Sequence, residues 1–103
     1  MFIYNVTTKV SWSINEIWLK SMKHEYMPAM LGTGCFSNYR LSKLHEQDDE
    51  EGPTYVVQYY TESKALYNKY LELYANEFRK EYAEKWGNSL VDFRTLLEVI
   101  EQK

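Results

Sequence analysis

A long hairpin spanning residues 34–62 restricts the fold more than any other feature of the chain. Its first arm reads Cys35-Phe-Ser-Asn-Tyr-Arg-Leu-Ser-Lys-Leu44 and its second Thr54-Tyr-Val-Val-Gln-Tyr-Tyr60. Between them lies an acidic tip, His45 to Pro53, carrying Glu46, Asp48, Asp49, Glu50 and Glu51. Both arms alternate, and side chains two apart share a face of a strand. One face therefore carries Tyr39, Leu41, Tyr55, Val57 and Tyr59. The other carries Phe36, Asn38, Arg40, Ser42, Val56, Gln58 and Tyr60. Charges as dense as those of the tip favour water, so the tip is predicted to project.

The rest of the chain supplies the hairpin's partners. Phe2–Val10 alternates with β-branched and aromatic content and reads as a strand, with Phe2, Tyr4, Val6, Thr8 and Val10 on one side. Ser13 and Glu16 have capping-box spacing, and Trp12 and Ile17 stand where a hydrophobic staple would. A helix is predicted from Ile14 to Leu31, with Ile14, Ile17, Trp18, Ser21, Met22 and Ala29 in its apolar stripe and Glu25 intruding on it. Pro28 removes a backbone donor and crowds the carbonyl of His24, which predicts a kink; Gly32 ends the helix. Ser63 caps a second helix, residues 64–86. Its large side chains, Leu66, Tyr70, Tyr74, Phe78, Tyr82 and Trp86, stand four apart, a spacing that drifts about 40° per step. A bend or break is therefore expected near Ala75-Asn76, and Gly87 ends the helix. The final strand, Ser89–Glu101, puts Val91, Phe93, Thr95, Leu97 and Val99 on one face and Leu90, Asp92, Arg94, Leu96, Glu98 and Ile100 on the other.

Strand, helix, strand, strand, helix, strand is the split βαβ order of an α+β, ferredoxin-like domain. Right-handed crossovers place both helices on one face of a four-stranded antiparallel sheet, with expected spatial order 4-1-3-2. No linker or repeat interrupts residues 1–103, so one domain is expected. The more apolar strand faces, Val91 and Phe93 included, are expected under the helices. The open face still holds Ile3, Val56, Tyr60, Leu96 and Ile100, too much apolar surface to leave bare. A second copy of the sheet would cover it, which predicts a face-to-face homodimer.

Composition enters as exclusion. A net charge of −3 offers no basic field for a phosphate backbone, so nucleic acid is not expected. A single cysteine forms no internal disulfide and no cysteine metal site. No apolar run approaches the ~20 residues of a membrane span, and the start shows no signal-peptide pattern. A cytoplasmic protein without cofactor or metal is the expectation.

Taken together, Ile3-Tyr4-Asn5-Val6-Thr7, Trp18-Leu19, Pro28 with Thr33-Gly34-Cys35-Phe36, Tyr55-x-x-Gln58-Tyr59 and Phe93-Arg94-Thr95-Leu96-Leu97-Glu98 give the chain a resemblance, nearly end to end, to the bacterial family DUF4286. That family lies in the dimeric α/β-barrel, ferredoxin-like superfamily. The resemblance implies a dimer and no assigned activity. Family members carry a histidine two positions before the proline, where this chain has Tyr26. The superfamily includes cofactor-free monooxygenases, isomerases and haem-handling proteins, and fold alone does not choose among them.

Candidate chemistry falls in two places. Asn5, Asn38, Arg40, Gln58, Arg94 and Glu98 are expected to share the open sheet face. There the guanidiniums and amides would hold an anion, with Glu98 as a base, or Arg would pair with Glu across the dimer. His24, Glu25 and Tyr26, beside the predicted kink, form a second candidate, against a plain reading in which Glu25 pairs with a lysine or a tyrosine hydroxyl and His24 is solvated. His45 with the acidic tip lacks the ligand spacing of a calcium loop and reads as a solvated loop. Cys35 reads as a small residue facing the helices. The open face lacks the stacked aromatics of an RNA-recognition motif, and Ser11-Trp12-Ser13 lacks the anion cradle of an acylphosphatase. Two functions follow: a non-catalytic homodimeric module binding a small anionic or aromatic ligand or a partner, or a cofactor-free enzyme of the monooxygenase or isomerase kind.

Overall fold

The computed structural model describes residues 1–103. Strand β1 (Phe2–Val10) leads through a 3-10 turn (Trp12–Ile14) into α1 (Asn15–Ser21). A single π-helical turn (Met22–Tyr26) joins α1 to α2 (Met27–Gly32). Strands β2 (Asn38–Lys43) and β3 (Thr54–Thr61) form the hairpin. Helices α3 (Lys64–Leu73) and α4 (Ala75–Trp86) precede β4 (Leu90–Glu98). The sheet order is β2-β3-β1-β4, every neighbouring pair antiparallel. This is the ferredoxin-like α+β arrangement, in the expected spatial order.

Aromatic rings fill the space between the sheet and the helices. Tyr4 stacks on Phe36 and Tyr59 and meets Tyr67 and Tyr70 of α3 at centroid distances of 5.6 and 5.7 Å. Trp18 stacks on Tyr55 at 5.1 Å. Large flat rings let a small domain bury much apolar area. Strand β3 shows why the hairpin was legible: Tyr55, Val57, Tyr59 and Thr61 are buried and their neighbours are not.

Several expectations change. The capping box does not form: Ser13 lies inside the 3-10 turn, and α1 begins after Ile14 with no side-chain cap. The staple is absent too, with Trp12 49% and Ile17 62% exposed. Trp12 instead donates its indole N–H to the Asp49 carbonyl at 2.8 Å, a tertiary bond that draws the ring away from α1. That bond, with Lys9 Nζ donating to the Asp48 carbonyl at 3.3 Å, ties the exposed tip back to the end of β1, so it does not project freely. Phe36, expected on the open face, precedes β2 and lies in the core. Cys35 is buried, in the loop rather than in a strand.

Near Pro28 the helix takes a π-turn in place of a simple kink. Met27 donates to the Met22 carbonyl, five residues back, and Pro28 has no donor to offer. The π-turn adds one residue to the repeat, which moves the apolar stripe by one position. Tyr26 and Met30 turn inward where regular spacing chose Glu25 and Ala29. The second helix breaks at Tyr74, one residue before the expected place. Ser63 caps it as expected, its hydroxyl accepting the Leu66 N–H at 3.1 Å.

The largest correction concerns β4. Directly opposed residues in an antiparallel pair share a face. Val10 opposes Leu90, Thr8 opposes Asp92, Val6 opposes Arg94 and Tyr4 opposes Leu96. Leu90, Asp92, Arg94 and Leu96 therefore face the helices. Val91, Phe93 and Leu97 lie on the open face, exposed by 56%, 67% and 42%. Both faces of β4 carry large apolar residues, so alternation alone did not select the inward one; pairing with β1 did.

Candidate functional site

The register builds the open face in transverse rows. Arg40, Gln58, Asn5 and Thr95 stand opposite one another across β2, β3, β1 and β4. Gln58 Nε2 donates to Asn5 Oδ1 at 3.2 Å, and Asn5 Nδ2 donates to Thr95 Oγ1 at 3.3 Å. From the next row the Tyr60 hydroxyl donates to Gln58 Oε1 at 3.3 Å. Arg40 has no carboxylate of its own protomer within ion-pair distance. Apolar rows flank this polar one, with Tyr60, Ile3 and Leu97 on one side and Val56 and Phe93 on the other. A shallow hollow of about 530 Å3 lies over Ile3, Arg40, Gln58, Tyr60 and Leu97.

Of the expected open-face residues, Asn5, Arg40 and Gln58 come together in one row, and Asn38 stands one row away opposite Tyr60. Arg94 does not join them, because it faces the helices opposite Val6. Glu98, opposite Phe2, belongs to the helix-side row; at the strand's end it also borders the open-face hollow. Thr95 was missed, and the inverted face of β4 hid it.

On the other side of the sheet, a cavity of about 20 Å3 lies beneath the π-turn. Its polar lining is Tyr4, Thr8, Tyr26, Tyr59, Tyr82, Asp92 and Arg94, and Met22, Met30 and Val57 supply apolar wall. Such a volume holds about one water or one small polar group. Thr8 Oγ1 donates to Asp92 Oδ1 at 2.6 Å, and Arg94 Nη2 stands 3.8 Å from Asp92 Oδ2. Trp18 Nε1 donates to the Tyr82 hydroxyl at 3.0 Å. Outside the cavity wall, Arg79 of α4 donates to the Tyr4 hydroxyl at 3.2 Å. Two buried side-chain polar atoms have no partner, Tyr59 Oη and Arg79 Nε.

Burial dominates the electrostatics of this chamber. It pushes the Tyr26, Tyr59 and Tyr82 phenols well above their ordinary range, so all three stay neutral hydroxyls. It also raises the Asp92 carboxyl, against the opposing pull of the Thr8 bond and the Arg94 charge. Neutral phenols beside a guanidinium can stabilise negative charge on a bound oxygen.

Of the second candidate group, only Tyr26 reaches the chamber; its ring packs against Phe78 and Tyr82 at 5.6 and 5.1 Å. Glu25 is exposed and paired with Lys85 at 3.1 Å, while accepting from Ser21 Oγ at 3.0 Å. Those two bonds hold its carboxyl below the usual range. His24 is exposed. Tyr59, Tyr82, Asp92 and Arg79 were not singled out as site residues from the sequence, where a phenol that lines a cavity and one that only fills the core look alike. No three His, Cys, Asp or Glu side chains converge as a metal site would require, and no helix is long and apolar enough to cross a membrane.

Comparison with known proteins gives the fold and a family. The model of a domain of unknown function, DUF4286, matches residues 1–100. Two solved structures, both of dimeric ferredoxin-like proteins from an uncultured marine organism, are similar to the chain. The first has a TM-score of 0.77 at 10% identity, covering 99% of this chain and 97% of its own. The second has a TM-score of 0.72 at 18% identity, covering 99% and 96%. No curated protein matches the chain.

Proposed function

The chain belongs to the family of the domain of unknown function DUF4286, and from that premise we propose that it is a homodimeric, non-catalytic module that binds a small ligand or a partner, assembled through its open sheet face. One observation carries this reading: Val91, Phe93 and Leu97, more than two-fifths exposed each, share that face with Ile3, Val56 and Tyr60. An apolar sheet face of this kind is stabilised by a second layer, and two-fold pairing supplies one. The similar solved structures are themselves dimeric proteins.

A second sheet would roof the hollow above Arg40 and Gln58. Arg40, without a carboxylate in its own protomer, then faces either an acid of the partner or an anionic ligand. The polar row of Gln58, Asn5 and Thr95 is already bonded internally, so part of its polarity is satisfied before a second sheet covers it. We place the module as a single domain, residues 1–103, in the cytoplasm, a reading supported by its one unpaired cysteine. The cofactor-free enzyme is the weaker alternative, because it needs Arg94 beside Arg40 and β4 carries Arg94 on the opposite face.

Sedimentation at micromolar concentration tests the assembly. The wild-type chain is expected as a dimer, and Phe93→Asp as a folded monomer, since the charge meets no partner in a dry interface. A wild-type monomer, or a Phe93→Asp dimer of unchanged strength, overturns the reading.

A further inference from the structure

Helix α4 carries two rows along one side. Phe78, Tyr82 and Trp86 stand four apart, and beside them Glu81 and Lys85 stand four apart, so an aromatic wall runs next to a charged edge. The π-turn and α2 face this side. The extra residue of the π-turn brings Tyr26 against α4, its ring at 88° to that of Phe78 and 58° to that of Tyr82. Ala29, one turn further on, is small and leaves room beside it. A cleft of about 220 Å3 lies between the helices, walled by Tyr26, Ala29, Phe78, Tyr82 and Trp86. Ser21, Glu25, Glu81 and Lys85 supply its polar atoms. Every lining residue belongs to a helix or to the π-turn, so the open sheet face takes no part in it.

The cleft already holds one ammonium, its own. Lys85 Nζ stands 5.2 Å from the centroid of the Trp86 ring, within reach of a cation–π contact. It donates to Ser21 Oγ at 3.0 Å and to Glu25 Oε2 at 3.1 Å. Ser21 Oγ in turn donates to the same Glu25 oxygen at 3.0 Å. A ring face, a hydroxyl and a carboxylate thus converge on one positive nitrogen. Lys85 is held there loosely: the side chains of the pair are 48% and 67% exposed, and exposed pairs of this kind add little stability. A second carboxylate, Glu81, lines the same cleft with no basic group within ion-pair distance. It stands one turn before Lys85 on α4 and is the next acceptor for a released Lys85. Two carboxylates against one ammonium leave the cleft net negative over aromatic walls. Charge and wall select the same occupant, an organic cation with an apolar body. The π-turn that delivers Tyr26 is a distortion found frequently at functional sites.

We propose that this cleft binds a small primary amine with an apolar body, its ammonium replacing that of Lys85 over Trp86 and between Ser21 and Glu25, its body against Tyr26, Ala29 and Phe78. The exchange conserves ion pairs: the ligand takes Glu25 and Lys85 turns to Glu81. The inference rests on the small-ligand part of the reading above and gives it a ligand class; it is independent of the dimer, because only helical residues line the cleft.

Phenethylamine, charged at neutral pH, is the probe, titrated calorimetrically into the full-length chain, with neutral 2-phenylethanol of the same shape as the comparison. Phenethylamine is expected to bind saturably with a dissociation constant of about 1 mM or tighter, and the alcohol at least about tenfold more weakly. Glu25→Gln removes the acceptor of the ammonium and is expected to weaken binding by about tenfold. Ala29→Leu fills the cleft and is expected to weaken it by about tenfold or more. Lys85→Gln removes the internal competitor and is expected to tighten it by about threefold or more. Lys80→Gln and Glu84→Gln make the same charge changes on α4 outside the cleft and leave binding unchanged. All five positions are exposed, so the fold is retained. Absence of saturable binding up to about 10 mM, or equal binding of the alcohol, overturns the proposal without any variant. So does a Lys85→Gln affinity no higher than that of Lys80→Gln, or an Ala29→Leu affinity equal to wild type. Sedimentation of the same samples keeps the two readings apart. A dimer that ignores phenethylamine overturns this inference alone, and a monomer that binds it overturns the dimer alone.

Discussion

Tyr59 and Tyr82 are both buried phenols of one chamber, and they are expected to respond oppositely to loss of the hydroxyl. Tyr59 Oη has no partner, so Tyr59→Phe removes a desolvated group at no cost in contacts. Its stability in urea is expected to be unchanged or higher by up to about 2 kcal/mol. Tyr82→Phe strips the acceptor from the Trp18 indole, leaving a buried donor unmatched, and is expected to cost about 1–3 kcal/mol. Asp92 sets a pH dependence. Burial raises its folded pKa, so the native state binds the proton more tightly than the unfolded chain. Its contribution is full below the unfolded carboxylate pKa of ~3.9 and is lost as pH rises through the raised value. Asp92→Asn is expected to flatten that part of the stability profile and to be more stable than the wild type at neutral pH. Gly52 is required by close approach: a Cβ there would lie 1.7 Å from the Val10 carbonyl oxygen. Gly52→Ala must shift the turn after the acidic tip, at a cost of about 1–3 kcal/mol by denaturant unfolding. None of these roles was legible in the sequence, because each depends on what a side chain or backbone meets from another element.

Among the elements, legibility followed the period of the pattern. Strand β3 alternates strictly, so its faces and its pairing were readable from the residues alone. The Ser63 cap was readable as well, being a contact three residues long. Ser63→Ala is expected to cost about 1 kcal/mol, visible as a lower urea midpoint with the fold intact. The Ser13–Glu16 box had equally good local spacing and did not form, because the chain enters the helix through a 3-10 turn that holds Ser13 and leaves Ile14 at the cap position. A cap signal thus depends on where the helix starts, which the spacing alone does not fix. The π-turn is the other failure of local pattern. One added residue between Ser21 and Met27 rotates everything after it, which exposed Ala29 and delivered Tyr26 and Met30 to the interior. Pro28 marked the place correctly but not the form of the distortion.

For the whole molecule, order of elements and hydrophobic balance led to the ferredoxin-like fold and to a sheet with one covered face. The same balance misled at β4. An edge strand apolar on both faces is what a sheet needs when helices cover one side and another layer covers the other. Read for a single protomer, its more apolar face belonged inward; the register with β1 turned that face out. The error split the expected six-residue cluster. Asn5, Arg40 and Gln58 stayed together, and Arg94 went to the helix side, where it stands in the tyrosine-lined chamber. Arg40→Glu tests the open-face part of the cluster: with the proposed face-to-face pairing, sedimentation is expected to show a shifted dimerisation constant, since the reversed charge would meet the opposite sheet, whereas Arg94→Gln leaves that constant in place.

Sequence alone determined the order of elements, the alternation of the hairpin, the cap of α3, the end of α4 at Gly87 and the absence of a basic field, because these rest on contacts within a few residues or on totals. Tertiary structure decided which face of β4 looks inward, how the helix passes Pro28, where the acidic tip is tied and which phenols lack partners. Those outcomes depend on register between distant strands and on competition for hydrogen-bond partners, and neither quantity is present in any one stretch of chain.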